Sequence, residues 1–111
     1  MTVRELVREI QREVREPNLL PARAAELLVK LTALLGNIAD EIREADMQYA
    51  ELLLKFLETE EAVSRAKVRA EVSPEYRRKR EARDVKELAI ELIRSLKVFV
   101  RAAEEEMRLT R

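Results

Sequence analysis

Apolar residues recur at alternating steps of four and three along residues 24–56. The ten positions are Ala24, Leu28, Leu31, Leu35, Ile38, Ile42, Ala45, Tyr49, Leu52 and Phe56. This spacing places every member on one face of an α-helix, and such a face packs against another helix. The pattern therefore predicts a long helix with one buried seam, around which the rest of the chain is arranged.

A shorter repeat predicts a first helix over residues 3–16. Its apolar positions are Val3, Val7, Ile10 and Val14. Thr2 and Glu5 form a candidate capping box at its start, because each side chain can bond the other residue's backbone N–H. Pro17 and Pro21 interrupt the chain after it, and Pro21 suits the first turn of the next helix.

The long helix is predicted to run over residues 21–72, with a possible break near Thr59. Ser73, Pro74 and Glu75 then form a helix start signal, which predicts a third helix over residues 74–109. The seam of that helix is Ala82, Val85, Ala89, Leu92, Leu96, Phe99 and Ala103.

The lengths of the helical segments favour an antiparallel hairpin that turns at Ser73. Residues 38–72 match residues 74–109 in length, and residues 21–35 are left to pair with the first helix. The sequence therefore predicts a single all-α domain, with a short N-terminal helix followed by a long coiled-coil-like hairpin. Apolar residues outside one seam predict an oligomeric bundle; they are Leu34, Leu53, Leu57, Leu88, Ile93 and Val100.

Composition excludes several kinds of site. The 111 residues include no Cys and no His, so nucleophilic sites that pair Ser or Cys with His, and ordinary zinc sites, are excluded. With Gly36 as the single glycine, there is no phosphate-binding glycine loop, and no cofactor is expected. We expect a cytoplasmic protein, since no secretory signal or membrane-spanning run is present.

Basic residues cluster in a chain whose net charge is zero. Residues 65–86 contain nine bases and four acids, whereas residues 40–61 contain eight acids and two bases. We call the nine bases the basic block and add Tyr76 as a residue that could stack on a nucleic-acid base. The candidate nucleic-acid-binding residues are Arg65, Lys67, Arg69, Tyr76, Arg77, Arg78, Lys79, Arg80, Arg83 and Lys86.

In a hairpin turning at Ser73, the basic block surrounds the tip and could contact DNA or RNA phosphates. Two other interpretations remain open. The block could meet the acidic residues 40–61 of a neighbouring copy, or it could simply be solvated.

Carboxylates offer a second candidate chemistry. Glu41, Glu44 and Asp46 on one helix, with Glu87 and Glu91 on another, could hold Mg²⁺ or Mn²⁺ for pyrophosphate hydrolysis. The stretch ADEIREA at residues 39–45 resembles the first motif of the all-helical MazG-like nucleotide pyrophosphatases. The second Glu-x-x-Asp motif of that family is missing.

Three stretches resemble a family of small helical proteins of tailed bacteriophages. They are AVSRAKV at residues 62–68, Tyr76-Arg77 together with Glu81-Ala82-Arg83, and ELIRSLK at residues 91–97. The likeness covers residues 38–108. Members often lie among replication and recombination genes and have no assigned role. The resemblance implies a viral protein that acts in the cytoplasm of the infected cell, and it transfers no catalytic residue.

The sequence as a whole predicts a non-enzymatic phage accessory protein. It would bind nucleic acid, or a protein that processes nucleic acid, through a basic hairpin tip. One alternative is an inhibitor or sponge that binds a host defence protein. A second alternative is a metal-dependent nucleotide pyrophosphatase.

Overall fold

Four helices and short connections make up the described part of the chain, residues 1–60 and 62–110 of a computed structural model. The helices are α1 (Val3–Val14), α2 (Pro21–Thr59), α3 (Val63–Glu71) and α4 (Pro74–Leu109). These residues contain no β-strand. The predicted all-α class is confirmed.

Helices α2 and α4 pack antiparallel and form the most extensive helix–helix contact of the described residues. Core side chains come from both helices and from α1: Val7, Ile10, Ala24, Leu27, Leu31, Ile38, Val85, Ala89, Leu92, Ile93 and Leu96. All ten predicted seam positions of α2 are buried or half-buried. The sequence interpretation missed Leu27, which is 1% exposed.

Helix α1 packs against both α2 and α4. Thr2 caps it, since its Oγ1 accepts a hydrogen bond from the Glu5 backbone N–H at 3.2 Å. The Arg23 guanidinium donates to the Glu13 carboxylate at 2.6 Å, and this hydrogen bond holds the pKa of Glu13 below its ordinary value. The helix ends at Val14, two residues earlier than predicted.

Helix α1 covers only part of the α2/α4 pair, so the two ends of the molecule differ in thickness. We call the part where α1 lies on α2 and α4 the bundle. We call the part beyond α1, residues 46–80, the arm; it contains the end of α2, all of α3 and the start of α4. The molecule is 73 Å long and about 20 Å across, with extents of 23 and 19 Å.

The expected turn at Ser73 is wrong, because the chain reverses between Thr59 and Val63. Helix α2 ends at Thr59, where the sequence allowed a break, and α3 folds back against it. Ala66 and Ala70 of α3 are fully buried. One side of the hairpin is therefore α2, and the other side is α3 followed by α4.

Ser73 instead joins α3 to α4. Its Oγ accepts a hydrogen bond from the Tyr76 backbone N–H at 3.1 Å and donates one to the Ala70 carbonyl. One hydroxyl thus caps α4 and satisfies the end of α3. The prediction that a helix starts at Ser73 is confirmed. This start connects α3 to α4 within one side of the hairpin.

Apolar residues outside the two seams have different environments. Ile93 is buried, and Leu34, Leu88 and Val100 are half-buried against the core to which α1 contributes. The bundle therefore covers them within one chain. Phe99, predicted in the α4 seam, is 38% exposed.

Candidate functional site

The basic block lies along the arm and not at its tip. Arg65, Lys67 and Arg69 are on α3, and the other bases with Tyr76 are on the first three to four turns of α4. The predicted tip location is wrong because the hairpin turn lies between Thr59 and Val63. The block therefore runs beside the acidic part of α2 in the same chain.

Three arginines of the block form ion pairs with carboxylates of that acidic stretch. Arg83 donates to the Asp46 carboxylate at 2.8 Å. Arg78 lies 3.4 Å from Glu41 and 3.7 Å from Glu44, and it also donates to the side chain of Gln48. Arg69 bonds Glu60. For these three arginines, the acidic partner that a neighbouring copy could have supplied comes from the same chain.

Three basic side chains of the arm lie over aromatic rings. Lys79 Nζ lies 4.6 Å from the centre of the Tyr49 ring, and Arg80 lies 6.0 Å from the centre of the Tyr76 ring. Arg69 also lies over Phe56. The two tyrosine rings are in contact, with centres 5.4 Å apart, and burial raises the pKa of Tyr49. Tyr76 is half-buried in this cluster, which limits its use as a stacking surface.

Four bases of the block are exposed and have neither an ion pair nor an aromatic contact among the described residues: Arg65, Lys67, Arg77 and Lys86. The first three flank the joint at Ser73. Only part of the basic block is therefore available to a partner.

Exposed valines lie among these bases. Val63, Val68 and Val72 are 59%, 61% and 77% exposed. Val68 lies on α3 and Val72 is its C-cap residue, four positions later, so the two valines form one exposed ridge at the end of α3. Sequence reasoning missed this ridge, because the valines are scattered among charged residues and only the position of α3 shows that they are unburied.

The carboxylates proposed for a metal site do not meet. Glu41 and Glu44 pair with Arg78, and Asp46 pairs with Arg83. The other oxygen of Asp46, Oδ1, is buried without a hydrogen-bond partner. Within residues 1–60 and 62–110, no group of three or more acidic side chains is arranged to hold a metal ion.

A hollow of about 790 Å³ lies where the bundle meets the arm. Val3, Ile38 and Val85 are among its apolar lining residues. Four of the charged residues at its edge pair with one another, Arg4 with Glu81 and Arg78 with Glu41. Glu5 and Arg8 also line the hollow, and their side chains form no ion pair among the described residues.

No protein-family model, curated protein or solved structure matches this chain. None of the described helices is long and apolar enough to cross a membrane.

Proposed function

We propose that this chain is a non-enzymatic protein-binding module whose contact surface is the outer side of α3 and the adjoining start of α4. The observation that supports it is the pairing of exposed Val68 and Val72 with nearby exposed bases. Two apolar side chains are thus exposed in a segment that also carries the exposed bases Arg65, Lys67 and Arg77 and the exposed Glu71. Apolar side chains with polar neighbours are common in protein interfaces.

The same surface fits an acidic amphipathic helix better than a nucleic acid. Phosphates gain nothing from contact with two valines, whereas an apolar helix face would cover them. Full burial of a valine contributes on the order of 1.5 kcal/mol. Acidic residues beside that face would lie opposite Arg65, Lys67 and Arg77.

A role as an inhibitor or sponge of another protein, including a host defence factor, is one form of this function. A protein that processes nucleic acid is another possible partner of the same kind. A role in an infected cell rests only on the resemblance to bacteriophage proteins and stays a prediction.

The test begins with a photo-reactive residue in place of Val68, used to capture the partner in cells. The purified partner is then titrated with the intact chain and with Val68→Ser/Val72→Ser. The double variant should weaken binding roughly tenfold or more, since each lost contact costs on the order of 1 kcal/mol. Val98→Ser is the matched control, because Val98 is 67% exposed on α4, far from the joint. Equal affinity of all three proteins would exclude this surface.

Direct nucleic-acid binding is a second candidate, supported by the four exposed bases that have neither an ion pair nor an aromatic contact among the described residues. It is tested by gel shift with single- and double-stranded DNA over a series of salt concentrations. If the bases contact duplex phosphates, replacing Arg65, Lys67 and Arg77 by Gln should reduce the log–log salt slope by roughly one unit for each lost contact. Arg8, Arg12 and Arg15 of the first helical segment, replaced in the same way, provide the control.

Arg78 is a poor choice for such a variant. It holds Glu41, Glu44 and Gln48 across the hairpin. Its loss would change the arm as well as any phosphate contact. Failure of the intact chain to shift DNA even at about 50 mM salt would exclude this candidate, since phosphate contacts strengthen at low salt.

A further inference from the structure

The solvent-facing sides of α2 and α4 differ in composition. On α4 the outermost row is Arg80, Asp84, Glu87, Glu91, Arg94, Val98, Arg101 and Glu105. Seven of these eight residues are charged, as expected of a helix face in water. On α2 the outermost row is Val29, Ala33, Gly36, Asp40, Arg43, Met47, Ala50, Leu54 and Leu57. Only two of these nine are charged.

The α2 row includes large apolar side chains that the chain itself leaves uncovered. Val29 is 69% exposed, Met47 55%, Leu54 57% and Leu57 38%. The row is regular, because its members alternate at steps of four and three from Val29 to Leu57. It is thus a second heptad seam, on the side of α2 that faces away from the core.

We propose that a second copy of this chain covers the row, and that the two α2 helices pack antiparallel about a twofold axis between residues 41 and 42. This inference concerns a different surface from the proposed protein-binding site on α3 and stands independently of it.

The order of side-chain sizes along the row fits this arrangement. The small residues Ala33 and Gly36 lie before the proposed axis, and the largest apolar residues, Met47, Leu54 and Leu57, lie after it. The axis places Met47 opposite Gly36 of the second copy, Leu54 opposite Val29, and Ala50 opposite Ala33. A Cβ built at Gly36 meets no atom within 4 Å, so this position offers open space that a Met47 side chain can fill.

Charges select the register. The same axis places Arg43 opposite Asp40 of the second copy, and these are the only charged members of the row. Within one chain the two side chains lie 3.3 Å apart and both are exposed. A shift of one heptad in either direction places both charges opposite uncharged residues. At the edge of the row, the same axis brings Lys30 near Glu51 and Glu26 near Lys55.

The area available fits a small interface. The overlap that this axis sets, from Glu26 to Leu57, is roughly 47 Å long at 1.5 Å per residue. A contact strip about 10 Å wide would then bury roughly 900 Å² over the two copies, which is the size of a weak dimer contact.

The mass in solution tests whether the row is an interface. The intact chain should sediment at twice its 13.0 kDa monomer mass. Leu54→Glu should shift it to the monomer mass at unchanged helicity, because Glu is a good helix former that would lie opposite Val29. Val98→Glu, the same kind of change on the charged row of α4, should leave the dimer intact. A monomeric intact chain, or equal behaviour of the two variants, would overturn the proposal.

Cysteine cross-linking tests the orientation, since the chain has no cysteine of its own. A mixture of Gly36→Cys and Met47→Cys chains should be joined by a short bis-maleimide into dimers containing one of each. Each variant alone should stay unlinked, because identical positions would lie roughly 16 Å apart, eleven residues along the helix. Efficient linking of each variant to itself would show a parallel pair and contradict the proposal.

A charge exchange tests the register. Asp40→Arg should weaken the dimer, because it places two arginines opposite each other at both sides of the axis. Asp40→Arg/Arg43→Asp should restore it, since every opposed pair is again of opposite charge. A double variant that is as weak as the single one would reject the proposed register.

Discussion

Leu96 and Val98 show how position on a helix decides the contribution of an apolar residue. The two residues are separated by a single residue on α4, and each is aliphatic. Leu96 is 1% exposed and lies in the core, whereas Val98 is 67% exposed on the charged outer row. Stability is therefore expected to depend on the first and hardly on the second.

Leu96→Ala should lower the free energy of unfolding by about 2–5 kcal/mol, because it removes buried methyl groups and leaves a cavity. Val98→Ala should change it by less than about 0.5 kcal/mol. Urea denaturation followed by circular dichroism measures both. Similar losses in the two variants would show that the α4 seam has another register.

At the scale of elements, the joint at Ser73 decides how α3 and α4 follow one another. The Ser73 hydroxyl bonds both the Tyr76 N–H and the Ala70 carbonyl. The same helix start signal would also be compatible with a hairpin turn at Ser73. Here it keeps two helices on the same side of the hairpin.

Ser73→Ala should cost about 1 kcal/mol, within the 0.5–2 kcal/mol range for loss of an N-cap. Ser95→Ala is the control, because Ser95 is exposed within α4 and Ala is the stronger helix former. The control should therefore be neutral or slightly stabilising in the same denaturation experiment. A neutral Ser73→Ala would mean that the cap does not hold the joint.

The sequence predicted the elements better than their pairing. The α2 seam from Ala24 to Phe56 and the caps at Thr2 and Ser73 depend on residues close in sequence, and the structure has them where they were predicted. The direction of the chain after Thr59 depends on contacts between distant residues, such as Phe56 with Arg69 and Tyr49 with Tyr76. Matched lengths around Ser73 could not reveal those contacts.

The same limit applies to the candidate site. The cluster of bases at residues 65–86 is visible in the sequence, but its position beside α2 is not. The ion pairs of Arg78 and Arg83 with α2 follow only from the hairpin register, which was placed incorrectly. The ridge at Val68 and Val72 likewise becomes visible only when the outer side of α3 is known.

At the scale of the whole molecule, stability is distributed unevenly along the 73 Å length. Three helices share the large buried residues of the bundle, such as Leu27, Leu31 and Ile38. The interior of the arm beyond them is formed by alanines and half-buried residues, including Ala66 and Phe56. The arm is therefore expected to open locally more often than the bundle.

The hairpin turn between Thr59 and Val63 also sets an order of events during folding. Phe56 and Arg69 are 13 residues apart in sequence, whereas Ala24 and Leu96 are 72 apart. Because closing a short loop costs less entropy, contacts near the turn should form first and bring the later ones within reach. In the Leu54→Glu background, Ala66→Gly should mainly slow refolding and Leu27→Ala should mainly speed unfolding. Stopped-flow kinetics showing the reverse would contradict this order. The thinnest part of the molecule, which adds least to its final stability, would then control how fast the chain reaches its native state.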